Sequence, residues 1–240
     1  TSIDDSPATG QIDVWAMGTV GELLPDLVAQ FEKTNPDATV NVTAVPWQDY
    51  AKKIETAIAS GSTPDVTMIG SSDTAGFAAT GGLEVVPEGL VDNSEFFPGA
   101  VDAAEYANAS YAVPWYVETR SLFYRKDLAA AAGVTAPTTW DEFRTFAKAL
   151  QGEGAQWGFS IQTGAPYTWQ YALPYMWQAG ASLINDDRSA FTFDTPEALE
   201  GLTYYQSLIT DGIASQNGPV NLGEVEPQFV AGDVGSFISG

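Results

Sequence analysis

The sequence predicts an α/β fold, built as one large domain or two lobes, on three observations. Short apolar or alternating segments take turns with amphipathic helical ones through residue 70, and further amphipathic helices with recognisable start signals follow beyond residue 110. The length of 240 residues, 45% of them hydrophobic, suffices for a well-buried core at about 150 residues per domain.

IDVWA at 12–16 is a short apolar strand candidate. MGTVGELLPDLVAQFEK follows, with Leu23, Leu24, Leu27, Val28 and Phe31 on one helical face. Asn35-Pro36 closes that helix, because the residue before a proline is pushed out of the helical region. TVNVTAV at 39–45 alternates as a strand does, and Tyr50, Ile54, Ala57 and Ile58 line a second helix that ends at Gly61. After Pro64, DVTMIG is a continuous apolar run of the kind expected of a strand covered on both faces. Strand, helix, strand, helix, strand in this order implies right-handed crossovers and a parallel sheet.

Beyond residue 110, TTWDEFRTFAKAL sets Thr139 and Glu142 at capping-box spacing, with Phe143, Phe146, Ala147 and Leu150 as the buried stripe. DTPEALEGLTYYQSLITDG opens on Thr195 as N-cap and Pro196 at the first helical position, and repeats the pattern through Leu199, Leu202, Tyr205 and Leu208 to Gly212. A dense aromatic zone lies between these helices. Tyr171, Tyr175 and Trp177 stand there at helical spacing and are expected in the core, whereas Tyr167 and Trp169 follow Gly164 and Pro166 in a loop, where a large ring is harder to explain as core.

Charge and composition exclude several classes of function. Lys plus Arg number 9 against 31 Asp plus Glu, a formal net charge of -22. Phosphate binding needs a basic surface that releases counterions, so nucleic acid and anionic membranes are poor partners, and most of the acidity reads as a solubilising surface. Cys and His are both absent. Disulfides, thiolate nucleophiles, His general bases, Cys/His zinc sites and the Ser-His-Asp triad go with them, so an enzyme is disfavoured and no catalytic residue, metal or cofactor is expected. INDDRS at 184–189 lacks the alternating acids of an EF-hand loop and reads as a solvated turn. No apolar run reaches the roughly 20 residues of a membrane span, and TSIDDSPATG has neither the basic start nor the apolar centre of a signal peptide, so a soluble chain is expected.

In open parallel sheets ligands collect beyond the carboxyl ends of the strands. Those ends carry Met17, Gly18 and Thr19, then Trp47 and Gln48, then Ser71, Ser72 and Asp73. For the last three the competing reading is helix N-capping, since SSDTAGFAATGG looks like a short capped helix. Gly18 and Gly21 have neither the spacing nor the lysine of a phosphate loop. YAVPWYVETRSLFYRKDL at 111–128 gathers aromatic rings and a proline around Glu118 and Arg120. Flat rings flanked by a few hydrogen-bonding groups suit a ligand that is apolar on its faces and polar round its edge, which describes a neutral sugar. A carboxylate and a guanidinium offer acceptors and paired donors to vicinal hydroxyls, in charged hydrogen bonds of about 1.5 to 3 kcal/mol each.

DVWAMG, LVAQFEKTNPDATVNVTAVPWQDYAKKIETAIASGSTPDV, YAVPWYVETRSLFYRKDLAAAAGV, PTTWDEF, WGFS, MWQAGASLI, FDTPEALEGL and EPQFVAGDVGSFISG span nearly the whole chain. In this order they resemble the extracellular substrate-binding proteins of bacterial ABC sugar importers, of the maltose- and trehalose-binding type. The resemblance implies a periplasmic-binding-protein-like type II fold with two α/β lobes: a first lobe at 1–112, a hinge crossover at 113–119 and a second, incomplete lobe at 120–240. It implies a monomer outside the cytoplasm, a surface lipoprotein or periplasmic protein, whose lobes close on a saccharide and present it to permease subunits. Trp47, Gln48 and the turn Ser71, Ser72, Asp73 would face the cleft from the first lobe. Trp115, Tyr116, Glu118 and Arg120 would sit at or just past the crossover, and Tyr167 would be the second-lobe ring on which sugar stacks, with Trp169 close by in sequence. The competing readings are hinge packing for Trp115 and Tyr116 and a plain ion pair between Arg120 and Glu118. Members of this family run well past a segment like GDVGSFISG, so the resemblance implies an N-terminal portion with its C-terminal part missing, and weak or absent sugar binding by that portion alone.

Two other functions fit parts of this pattern. A polyamine or cation receptor of the same architecture would exploit the acidity and the rings. A glycosidase would need two carboxyls about 5 to 10 Å apart, and Glu118 has no partner acid in the aromatic cluster.

Overall fold

A computed structural model describes residues 3, 6–163, 168–187, 189–219 and 222–240. The chain divides into two compact units, Thr1–Val117 and Glu118–Gly240.

Unit 1 is built on β1 (Gly10–Met17), α1 (Gly18–Thr34), β2 (Ala38–Val45), α2 (Tyr50–Ser60) and β3 (Val66–Thr67). The three strands form a parallel sheet in the order β2-β1-β3, with β1 and β2 in register from Gly10 opposite Ala38 to Met17 opposite Val45. Tyr50, Ile54 and Ala57 bury one side of α2, as their spacing requires, and Gly61 stops the helix in the left-handed region. α3 (Thr74–Ala79) and α4 (Pro98–Ala104) follow, then a hairpin of β4 (Glu105–Tyr106) and β5 (Ala109–Ser110). Its turn residues, Ala107 and Asn108, both have positive φ, the backbone of the tight hairpin turn that matches strand twist.

Two expectations for unit 1 fail. DVTMIG does not form a strand covered on both faces. Only Val66 and Thr67 are strand, and Val66 is exposed, because β3 pairs with β1 alone among the described residues and so lies at a sheet edge. The five apolar residues of α1 are not one buried face either: Leu24 and Val28 are half-buried, but Leu23 is 63% exposed and Leu27 and Phe31 are also open. The helix approaches the sheet at Gly21, where a Cβ would stand 2.5 Å from the Ala16 carbonyl oxygen and 2.8 Å from the Ala44 Cα. The contact stripe therefore runs through Gly21, Leu24 and Val28, and a side chain one position away is turned about 100° from it.

Unit 2 comprises β6 (Ser121–Tyr124), α5 (Lys126–Ala132), α6 (Trp140–Gly152), α7 (Trp169–Gln178), α8 (Pro196–Thr210), α9 (Leu222–Ala231) and β7 (Ser236–Ser239). β6 and β7 pair antiparallel. Residues 157–160 run beside them: Trp157 bridges Val234, the Ser160 N–H donates to the Ser236 carbonyl at 2.9 Å, and the Phe159 N–H donates to the Ile213 carbonyl at 3.2 Å. The core gathers Phe143, Ala147, Phe159, Ile161, Tyr175, Tyr204 and Leu208. Desolvation pushes the Tyr204 and Tyr205 hydroxyls up to about 12, so these rings stay neutral and serve as packing.

The α6 stripe is buried as its spacing predicts, and the Thr139 hydroxyl accepts from the Glu142 N–H at 3.2 Å. Glu142 reaches back one residue further than the capping box requires, accepting from the Thr138 N–H at 2.7 Å. Thr195 caps α8 as expected, through the Ala198 N–H. The α8 stripe is shifted: Ala198, Gly201, Tyr204 and Leu208 are buried, and Leu199 is 67% exposed. Gly201 sets this register, since a Cβ there would stand 2.5 Å from the Met176 nitrogen and the Tyr175 carbonyl oxygen. The rings of α7 also divide. Tyr175 is buried and Tyr171 half-buried, but Trp177, two residues and so about 200° from Tyr175, is 50% exposed. Trp169 is not in a loop but is the first residue of α7. Asn185, Asp187 and Ser189 close a turn of their own: the Ser189 N–H donates to the Asn185 Oδ1 at 2.9 Å and its hydroxyl to the Asp187 Oδ1 at 2.6 Å. Among the described residues no helix is long and apolar enough to cross a membrane, and no acidic cluster could hold a metal.

Candidate functional site

In unit 1 the candidate residues lie at the carboxyl ends of the parallel strands, on two turns of the same construction. After β2, the Asp49 N–H donates to the Pro46 carbonyl at 3.0 Å, which leaves Trp47 and Gln48 at the exposed apex. After β3, the Asp73 N–H donates to the Gly70 carbonyl at 2.9 Å, with Ser71 and Ser72 at the apex.

Trp47 is 38% exposed, and its indole is braced on two sides. A Cβ on Gly18 would lie 3.0 Å from the indole Cδ1 and Nε1, and the ring of Tyr50 meets it edge-on at 5.2 Å and 78°. Tyr50 is itself buried, and its hydroxyl stands 2.8 Å from where a Cβ on Gly70 would be, with the Asp73 Oδ2 at 3.3 Å from the same point. One buried tyrosine thus connects the aromatic end of the rim to its carboxylate end. Asp73 is half-buried, and desolvation raises its pKa above the ordinary carboxylate value.

Asp73 is not a cap, contrary to the capping reading of this turn. No side-chain bond reaches the start of α3, because Asp73 has helical dihedrals, φ -107° and ψ -10°. A capping side chain turns back onto its helix only from an extended backbone. Thr139 and Thr195, with ψ 164° and 159°, have that backbone and do cap.

Trp115 and Tyr116 belong to unit 1 and meet edge-on at 6.3 Å. Trp115 is 52% exposed and Tyr116 is also open, so neither ring is packed away. Glu118 and Arg120 belong to unit 2 but do not pair with each other, which removes the plain ion-pair reading. The Arg120 Nη2 donates to the Gln170 Oε1 at 3.1 Å, and the guanidinium lies 5.5 Å from the centre of the Tyr171 ring. The Glu118 carboxylate instead lies beside the backbone of Gly240. Trp169 stands exposed next to Gln170 at the start of α7. Unit 2 therefore joins Arg120, Gln170 and Tyr171, next to Trp169 in the chain, and Tyr167 falls outside the described residues.

Sequence reasoning missed two members. The Tyr50 spacing announces a core residue, and the signal that it does more is that a buried tyrosine hydroxyl normally seeks a polar partner. Gln170 is fifty positions from Arg120, and nothing local announces that contact.

Residues 17–240 match the family described as bacterial extracellular solute-binding protein. The chain is 30% identical over 227 residues to a putative binding protein of Brucella abortus, covering 91% of this chain and 54% of the relative. It is 27% identical over 248 residues to the diacetylchitobiose binding protein DasA of Streptomyces coelicolor, covering 98% of this chain and 56% of the relative. The chain thus spans about half the length of the curated relatives it matches. Among solved structures, the GacH receptor of Streptomyces glaucescens, determined unliganded and in complex with acarbose, superposes with a TM-score of 0.81 at 26% identity over 97% of this chain and 60% of the receptor.

Proposed function

The chain belongs to the bacterial extracellular solute-binding proteins, a family of binding proteins rather than enzymes, and from that premise we propose that it binds a neutral saccharide of oligosaccharide type and delivers it to the permease subunits of an ABC importer. The reading rests on one observation above all. The carboxyl ends of the unit 1 sheet present a braced, exposed indole at Trp47 and, near the hydroxyl of Tyr50, an Asp73 carboxylate that does not cap α3 and is open to a hydrogen bond among the described residues. A sugar ring stacks its C–H face on the first and donates a hydroxyl to the second. Gln48, Ser71 and Ser72, exposed on the two apices, supply further polar contacts.

Within unit 2, Trp169 and Arg120 are the candidate sugar contacts. A guanidinium has five N–H donors, and one of them goes to Gln170, so donors remain for vicinal hydroxyls. Trp115, Tyr116, Glu118 and Tyr167 enter through the family resemblance, with the hinge crossover assigned to 113–119. The relatives point the same way, one being named for diacetylchitobiose and one having been crystallised with acarbose. A polyamine would also suit an indole beside a carboxylate, and the titration separates the two readings.

Isothermal titration with maltose, diacetylchitobiose and acarbose, with spermidine alongside, tests the reading. A saccharide is expected to bind, weakly to these 240 residues as the family resemblance implies, and spermidine not to. Trp47→Ala is expected to weaken the best saccharide by about 1 to 3 kcal/mol, the scale of lost aromatic burial. Spermidine binding with no saccharide response, or an unchanged affinity in the variant, overturns it.

A further inference from the structure

Unit 2 holds a cavity of about 340 Å³ lined by residues 156, 157 and 159–161 and by residues between Ser215 and Val234. Phe159 and Ile161 line this cavity and also belong to the aromatic core, and Ser160 between them forms part of the same wall. Ser160 is 9% exposed, and its hydroxyl has no hydrogen-bond partner among the described residues, unlike the buried Ser236, which donates to the Gly158 carbonyl at 2.6 Å. Buried hydroxyls are paired as a rule, so an unpaired one on a cavity wall marks a place where a polar ligand completes the bonding.

The other polar groups round the cavity are Gln156, Ser215, Asn217, Gln228 and Asp233. The Ser215 hydroxyl oxygen accepts from the Asn217 N–H at 3.1 Å, which leaves its proton to give. The three carboxamides each combine a donor with an acceptor, the carboxylate only accepts, and among the described residues no Lys or Arg lines the cavity. Such a wall has no counter-charge for an anion, and its mixed donors and acceptors match groups that both give and take a proton. The volume is at the low end of the roughly 300 to 1,000 Å³ of small-ligand pockets.

We propose that this cavity is a second binding site, separate from the strand-end rim of unit 1, for a small neutral polyhydroxylated molecule of monosaccharide size or less. Ser160 donates to the ligand at its floor, and Gln228, brought by α9, closes it from the side.

The test is an amide NMR titration of the ¹⁵N-labelled 240-residue chain with glucose, with glycerol and, as a cationic control, with ethanolamine. Saturable shifts at the amides of Ser160, Asn217 and Gln228 with either polyol are expected, on a concentration dependence different from that of the Trp47 indole N–H, which reports the rim. Ser160→Ala, which removes only a hydroxyl, is expected to weaken the polyol about five- to tenfold. Gln228→Ala, on the half-buried side of α9, is expected to do the same, and it carries the test if the first variant fails to fold. The proposal is overturned by the absence of saturable shifts with both polyols, by a response to ethanolamine alone, or by unchanged polyol affinity in the folded variants.

Discussion

Asp73 shows at the residue scale how a binding group is held at a cost to the fold. Its carboxyl is half-buried at the head of α3 and takes no hydrogen bond there, so desolvation raises its pKa above 3.8. A raised folded-state pKa means that the folded chain holds the proton more tightly than the unfolded one. Its contribution to stability is therefore present below the unfolded value and lost as pH rises through the folded value. Asp73→Asn should then leave the melting temperature at pH 7 unchanged or higher, with the gap to the parent shrinking as pH falls towards 3.8, while saccharide affinity drops. Parallel thermal melts and titrations check both halves, and a variant that melts lower at pH 7 than at pH 4 relative to the parent would refute the assignment. Asp127 is the opposite case: the Arg125 guanidinium holds its carboxyl at about 2, and that contribution is lost only as pH falls through this value.

At the scale of elements, backbone approach rather than hydrophobicity sets the register of the helices. α8 touches α7 at Gly201, and α1 touches the unit 1 sheet at Gly21, each at distances that leave no room for a methyl group. Side chains are sorted around these contacts, which is why Leu199 and Leu23 point outwards although both fit an apolar repeat. Gly201→Ala must push the α7 backbone away and is expected to destabilise unit 2 by about 1 to 3 kcal/mol, the range of overpacked cores. Urea denaturation followed through the tyrosine-rich core measures it, and a cost under a few tenths of a kcal/mol would show that α7 and α8 are free to slide. The helix starts obey a similar local logic. Threonines with an extended backbone cap α6 and α8, and aspartates with a helical backbone leave α2 and α3 uncapped, freeing Asp73 for the rim.

Over the whole molecule, Gly21 and Gly201 lie in different compact units, and the atoms nearest each belong to its own unit. Gly21→Ala and Gly201→Ala are therefore expected to add within about 0.5 kcal/mol, and hydrogen exchange should show each loss confined to its own unit. A coupling well above that figure would mean that the units unfold as one. The parallel sense of the unit 1 sheet, the buried stripe of α6, the threonine caps and the family itself could all be read from the sequence, because each depends on near neighbours: a period of two or of 3.6, a capping residue beside its helix, a motif in its order. So could the positions of Trp47, Gln48, Ser71, Ser72 and Asp73 at strand ends, since chain order alone puts loops there. Three things were decided only in three dimensions. The exposed state of Val66 depends on β3 lying at an edge, the link from Trp47 to Asp73 runs through the buried ring of Tyr50, and Arg120 finds Gln170 instead of Glu118. Periodicity says which side of an element is apolar, but which neighbour arrives there, and how closely, is fixed by backbones meeting at long sequence separation.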